Sequence, residues 1–247
     1  MEPRLLLRGA LAGGIGGLLA FAFARIFAEP QIQAAINYET HGHDEPEVFS
    51  RTIQANVGAG IAVVFFGLAV GLLLAVAYRV CLGRVGAVRA KPLAMLVAGG
   101  GFLAFYLVPF VKYPANPPAI GEAETIRQRS ALYLVMVGCS LLFLILSVGL
   151  GQRLKARFGN WNASLLAGGA FVVAIGIVMA VLPRVAEVPA DFPADLLFRF
   201  RLYSIATQLI LWTAIGLVFA PLAARLLDAQ GSRLSTQSPQ VPAPGIR

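Results

Sequence analysis

The sequence predicts an all-α membrane protein: a polytopic bundle of six transmembrane helices arranged as three hairpins, with both termini in the cytoplasm. Three observations carry that expectation. The 247 residues are 58% hydrophobic and only 13% charged, with a mean hydropathy of +0.76, whereas a soluble domain carries about a quarter charged residues. Six apolar stretches, 5–27, 57–80, 92–111, 131–150, 163–182 and 202–222, match the roughly 20 residues a helix needs to cross a hydrocarbon core. Positive charge alternates between the segments joining them, the asymmetry that orients membrane proteins. Alternation of apolar and polar residues over about ten positions, the mark of a membrane β-barrel, is absent. The composition excludes a soluble enzyme, a secreted disulfide scaffold and a disordered chain. Cys81 and Cys139 both fall in apolar runs and make neither a disulfide framework nor a zinc site.

The first stretch follows a basic start and contains Ala22-Phe23-Ala24, features shared with a cleaved signal peptide. Its apolar run is long for that role, and its loss would spoil the charge alternation, so it reads as a retained helix. Gly9, Gly13 and Gly17 repeat the GxxxG spacing that lets a second helix approach closely. Arg25 and Glu29 close the stretch at i, i+4, where they can pair, and Pro30 reads as a helix stop. The second stretch has its own GxxxG at Gly67 and Gly71. The third holds Pro109, whose missing N–H frees a backbone carbonyl; such a carbonyl can line a pathway or merely accompany a kink. The fourth and fifth are joined by a basic turn, 151–162, where Trp161 reads as an interfacial anchor and Asn162 as a helix N-cap. The sixth precedes a Ser-, Gln- and Pro-rich segment. The expected division is a transmembrane domain over 1–225 and a disordered cytoplasmic tail over 226–247.

The termini and the short loops 81–91 and 151–162 hold 12 of the 20 Lys and Arg residues but only two acids, Glu2 and Asp228. The three longer closures carry the other 8 basic residues and the other 10 acids. The basic set belongs inside and the acid-containing loops outside, as in a multi-pass protein of the plasma membrane. Topology accounts for the net charge of +8, so no nucleic-acid partner is expected.

There is no Walker A loop, dinucleotide fingerprint, HExxH or GxSxG, so the chain does not read as an enzyme and no tightly bound cofactor is expected. The first outer loop is the most pointed feature. His41, His43, Asp44, Glu45 and Glu47 place five potential ligands within seven residues. Imidazole and carboxylate suit divalent first-row ions, and Gly42 leaves both rings free to turn to one ion. A solvated acidic loop containing two histidines is the competing reading. Polar residues at membrane depth are a second pointer. Gln54, Asn56, Tyr106, Asn116 and Gln208 fall on the outward half and together suggest a polar vestibule; singly, helix–helix hydrogen bonding and snorkelling explain each. Two further functions remain open from these residues: a non-transporting scaffold whose GxxxG faces pack a partner, and a carrier for a small organic anion drawn by Arg51, Lys112, Arg199 and Arg201.

The strings FARIFAEP, RTIQANVG, YLVPFVKYPANPPAIG and DFPADLLFRFRLYSIATQ resemble the CbtA family of predicted cobalt transporters in its actinobacterial form. The similarity spans about residues 1–225. It implies a permease subunit in the lipid bilayer for uptake of a divalent metal ion, Co²⁺ with Ni²⁺ as second candidate, feeding cobalamin synthesis. It also implies a small single-span, His-rich partner subunit of the CbtB type. The first outer loop of such proteins is often rich in histidine and acid; here it is reduced to His41 and His43.

Overall fold

An apolar segment in lipid must satisfy its backbone polar groups internally, which leaves the helix as the local solution. In the computed structural model, which describes residues 3–39, 50–118, 120, 125–185 and 187–237, the regular structure is all helical. The α-helices are α1 (Pro3–Phe23), α2 (Glu29–Glu39), α3 (Arg51–Ile53), α4 (Ala59–Cys81), α5 (Ala90–Phe102), α6 (Val108–Lys112), α7 (Ile126–Val181) and α8 (Ala194–Gln237). Among the described residues, five helical stretches are long and apolar enough to cross a membrane: Pro3–Tyr38, Arg51–Cys81, Ala90–Lys112, Ile126–Val181 and Ala194–Asp228.

The fourth of these merges two expected spans. Within α7, Gly159 takes φ 72° and ψ 172°, a region open essentially to glycine alone. A Cβ built on Gly151 would stand 3.3 Å from Ala167 Cβ, so the limb 160–181 folds back on the limb 126–158. The expected turn 151–162 thereby shrinks to one non-helical residue. Asn162 consequently lies inside the second limb instead of capping it. At the other end of the chain, α8 stays helical to Gln237, past the boundary expected at residue 225.

Three π-helical turns interrupt the spans at Ala24–Ala28, Gln54–Gly58 and Leu103–Leu107. Two precede a proline: Pro30 and Pro109 are each the second residue of the α-helix that follows. A proline has no N–H to give the carbonyl four residues back, and its ring crowds that carbonyl; the wider π turn relieves both. Pro30 therefore does not stop the helix, which continues to Glu39. At the turn without a proline, the Asn56 amide donates to Thr52 O at 2.8 Å, taking the carbonyl that its own backbone N–H would have used in an α-helix.

Glycines set the central packing. A Cβ on Gly13 would lie 2.9 Å from Gly67 C, one on Gly71 would lie 2.8 Å from Gly13 Cα, and one on Gly17 would lie 2.9 Å from Val64 Cα. Helices α1 and α4 thus run antiparallel in backbone contact. The GxxxG faces that could have packed a partner are consumed inside the chain. Helix α8 lies against both α1 and α5, and one core joins Leu5, Tyr78, Leu93, Leu211 and Phe219 from these four helices. The limbs of α7 attach through a second cluster, Met136, Phe171 and Ile175 around Val108. The basic segments gather at one end, where Gln152 Nε2 donates to Arg84 O at 3.0 Å and Arg8 donates to Leu222 O. At the other end Ala35 of α2, Ile120 and Phe192 form a small third core.

Candidate functional site

Among the described residues, two cavities with charged groups in their walls open at the long-loop end. The smaller, about 280 Å³, lies between the first two π turns and is lined by Arg25, Glu29, Gln33, Arg51, Thr52 and Asn56. The glycine seam below brings these turns face to face, and the charged side chains reach across it. Arg25 Nε donates to Asn56 Oδ1 at 2.7 Å, and Arg51 forms an ion pair with Glu29. The pairing of Arg25 with Glu29 expected from their spacing is replaced by these two cross-helix contacts. The Arg51–Glu29 pair is largely withdrawn from water, with side chains 24% and 13% exposed, and Arg51 Nε is buried without a partner.

The larger cavity, about 750 Å³, is enclosed by the third π turn, the starts of α7 and α8, and the loops 113–116 and 185–188. Pro109 cannot donate to Phe105 O, and that carbonyl accepts instead from Tyr133 OH at 2.9 Å. The carbonyl freed by proline is therefore held by a tyrosine within the cavity wall. Arg129 pairs with Glu187 at 2.6 Å, and Thr125 donates to the same carboxylate. Arg201 donates from Nε to Ala115 O at 3.2 Å and from a terminal nitrogen to Asn116 Oδ1 at 3.0 Å. Tyr106 OH is buried without a hydrogen-bond partner. Lys112 sits beside this wall and donates to Met179 O and Leu182 O at 2.7 and 2.8 Å, capping the end of α7. At the rim, Tyr38 OH donates to Asp191 Oδ2 at 2.6 Å, and this bond holds the Asp191 carboxyl below its usual range.

The residues expected to form one vestibule are divided. Tyr106 and Asn116 share the larger cavity, and Asn56 lines the smaller one with Gln54 exposed on the same π turn. Gln208 is half-buried on α8 and belongs to neither lining. His41, His43, Asp44, Glu45 and Glu47 lie outside the described residues; among the described residues no group of three or more His, Cys, Asp or Glu side chains could hold a metal ion. Of the cations proposed to attract an anion, Arg51 and Lys112 are occupied by internal partners, while Arg199 is exposed. Sequence reasoning passed over Arg129, Tyr133 and Glu187. The available signal was the phenol of Tyr133 within an apolar stretch, a counterpart to Tyr106.

Two of the quoted strings, FARIFAEP and RTIQANVG, contain whole π turns, and YLVPFVKYPANPPAIG runs from the third into the larger cavity. Residues 2–224 match the family model described as "Probable cobalt transporter subunit (CbtA)". The chain belongs to the CbtA family. No curated protein and no solved structure matches it. This CbtA-family chain is thus a multi-pass membrane protein of a cobalt-transporter subunit family. Being a subunit implies partner subunits as well as the bilayer, and the family is one of transport rather than catalysis.

Proposed function

We propose that this chain is the permease subunit through which a divalent metal ion, Co²⁺ foremost, enters the cell to supply cobalamin synthesis. The family match over residues 2–224 carries this reading. In it, six spans cross the plasma membrane, with the limbs of α7 counted separately, the basic end lies in the cytoplasm and the long-loop end faces outward. The membrane domain ends near residue 225, and the Ser-, Gln- and Pro-rich segment beyond it is a cytoplasmic tail.

His41, His43, Asp44, Glu45 and Glu47 collect the ion. They lie in sequence between Glu39, the last residue of α2, and Ser50, which directly precedes Arg51 of the smaller cavity's lining. The oxygen donors there are Glu29 and Asn56, each held by an arginine. A divalent cation can use them only by displacing Arg51 and Arg25, so the two contacts act as a charged latch over the route. Gln54, Tyr106, Asn116 and Gln208 are assigned to the same route as later oxygen donors. Co²⁺ binds such N/O sites more weakly than Ni²⁺ or Cu²⁺, so selectivity falls to geometry and to metal supply. A single-span, His-rich subunit of the CbtB type delivers further ligands.

Cellular cobalt and nickel, measured by elemental mass spectrometry at limiting metal with the partner subunit co-expressed, test the reading. A cobalt-selective rise with the intact chain, lost when His41 and His43 are both replaced by alanine, is the expected result. No rise in either metal, with the protein present in the membrane, refutes it.

A further inference from the structure

The larger cavity carries more positive charge than its described lining residues neutralise. Arg129 is balanced by Glu187, whose side chain is only 5% exposed. Arg201 has no such partner: its hydrogen bonds go to two neutral acceptors, Ala115 O and Asn116 Oδ1. Among the described residues no Asp or Glu lies within ion-pair distance of it. A guanidinium offers five N–H donors and no acceptor, so these two bonds leave most of its capacity unused and, among the described residues, its charge unpaired. A half-buried cation is costly without a counter-charge. In the same lining, Tyr106 OH, Arg129 Nε and Glu187 Oε2 are buried with no hydrogen-bond partner, the last of them ion-paired with Arg129, and a buried group without its bond is costly. A net positive charge with unspent donors complements an anion. The remaining wall is apolar, with Phe110, Leu134 and Leu197 in the lining. Its volume of about 750 Å³ falls in the range of small-molecule sites.

We propose that this cavity binds an amphiphilic oxyanion, a carboxylate or phosphate head on an apolar body, with Arg201 as its counter-charge. Anion binding here does not rest on the metal reading: Tyr106 and Asn116, also assigned to the metal route, share this lining, but the counter-charge is Arg201, which that route does not use, and binding is read without metal. The head lies between Arg201, Tyr106 OH and Arg129 Nε, while the body covers Phe110 and Leu134.

Two sources share that chemistry, a free solute and an anionic phospholipid, and two arms separate them. In the first, the purified full-length chain in phosphatidylcholine nanodiscs is titrated calorimetrically, without metal, with octanoate and with its neutral isostere octanamide. In the second, the chain is released from nanodiscs of mixed phosphatidylglycerol and phosphatidylcholine, and native mass spectrometry counts the retained lipids. The expected result is preference for the anion in at least one arm. Arg201→Gln weakens that binding about tenfold, as expected for a charge-assisted bond, and leaves octanamide unaffected. Arg201→Lys keeps part of the affinity, and Tyr106→Phe weakens it a few-fold. Tyr106→Phe removes one hydroxyl, so it carries the test if Arg201→Gln fails to fold. Selective phosphatidylglycerol retention identifies a lipid; octanoate binding without it identifies a free solute. The proposal is overturned if neither anion is preferred over its neutral counterpart. It is also overturned if well-folded Arg201→Gln and Tyr106→Phe variants bind the anion as the unmodified chain does.

Discussion

Gly13 and Gly14 are neighbours in the sequence, yet a methyl group added to each meets opposite surroundings. At Gly13 the new Cβ would stand 2.9 Å from Gly67 C and 3.1 Å from Gly71 Cα, with Gly67 O closer still; at Gly14 the nearest atom is Leu68 Cδ2 at 3.4 Å. The first obstacle is backbone and cannot swing aside. Restoring ordinary contact requires α1 and α4 to part by at least about 0.5 Å, a gap that already forfeits roughly a quarter of each dispersion well. The loss extends along the seam, because Gly9 and Gly17 are in equally close contact with α4. Lipid tails give no hydrophobic drive toward helix association, so packing is most of what holds the pair together. Gly13→Ala should therefore destabilise the fold by about 1–3 kcal/mol. Gly14→Ala replaces a helical glycine without a clash and should be neutral or stabilising by up to about 1 kcal/mol. Thermal unfolding in detergent, with an SDS titration as a second scale, compares the two variants with the parent chain. Equal stability of the two variants, or a more damaged Gly14→Ala, would refute the seam as the source of the α1–α4 association. Because α1 leads into Arg25 and Glu29, parting the seam also moves the smaller cavity, and metal uptake should fall with Gly13→Ala alone.

Tyr133→Phe removes the donor that serves Phe105 O in place of Pro109; the orphaned carbonyl should cost about 1–3 kcal/mol, and unchanged unfolding would show that another group satisfies it. Gly159→Ala forces a side chain into φ 72° and ψ 172°, a strain of about 1–3 kcal/mol. Oxidative cross-linking between Gly151→Cys and Ala167→Cys should be fast in the parent chain and slow in that variant. The Tyr38–Asp191 bond adds a pH dependence. Because it lowers the folded Asp191 pKa from 3.8, its stabilisation is present above that value and lost as the pH falls through the lower folded one. Tyr38→Phe should weaken this acid-limb dependence, leaving the smaller part that comes from the backbone hydrogen bond to Asp191, as unfolding measured between about pH 2 and 5 would reveal.

Much of the architecture was legible because it follows from local composition. Apolar stretches of membrane-spanning length, the segregation of Lys and Arg to alternate segments, and the glycine spacings in 9–17 and 67–71 were all visible along the chain. Other features depended on partners in space. A proline announces a missing N–H but not its remedy, so Pro30 read as a stop, while the π turn before it lets the helix continue. Gly159 is one of many glycines in the sequence, and its backbone conformation alone turns α7 back on itself. Arg25 and Glu29 have a spacing suited to each other, but the facing span offers each another partner, Asn56 of its π turn to Arg25 and Arg51 of α3 to Glu29.

The site shows the same division. Tyr106 and Asn116 stood out because polar groups at membrane depth are costly, and the structure puts both in the larger cavity. Arg129 and Glu187 did not, since each is an ordinary charged residue until the other is beside it. By itself the sequence determined that the chain is a helical membrane protein of the CbtA family, and which residues are small enough for helices to touch. Only the tertiary structure decided which helix meets which, where the proline-freed carbonyl finds its donor, and that Arg201 meets two neutral acceptors. Composition and spacing act along the chain, whereas the pairing of buried polar groups depends on the few ångströms between side chains far apart in sequence.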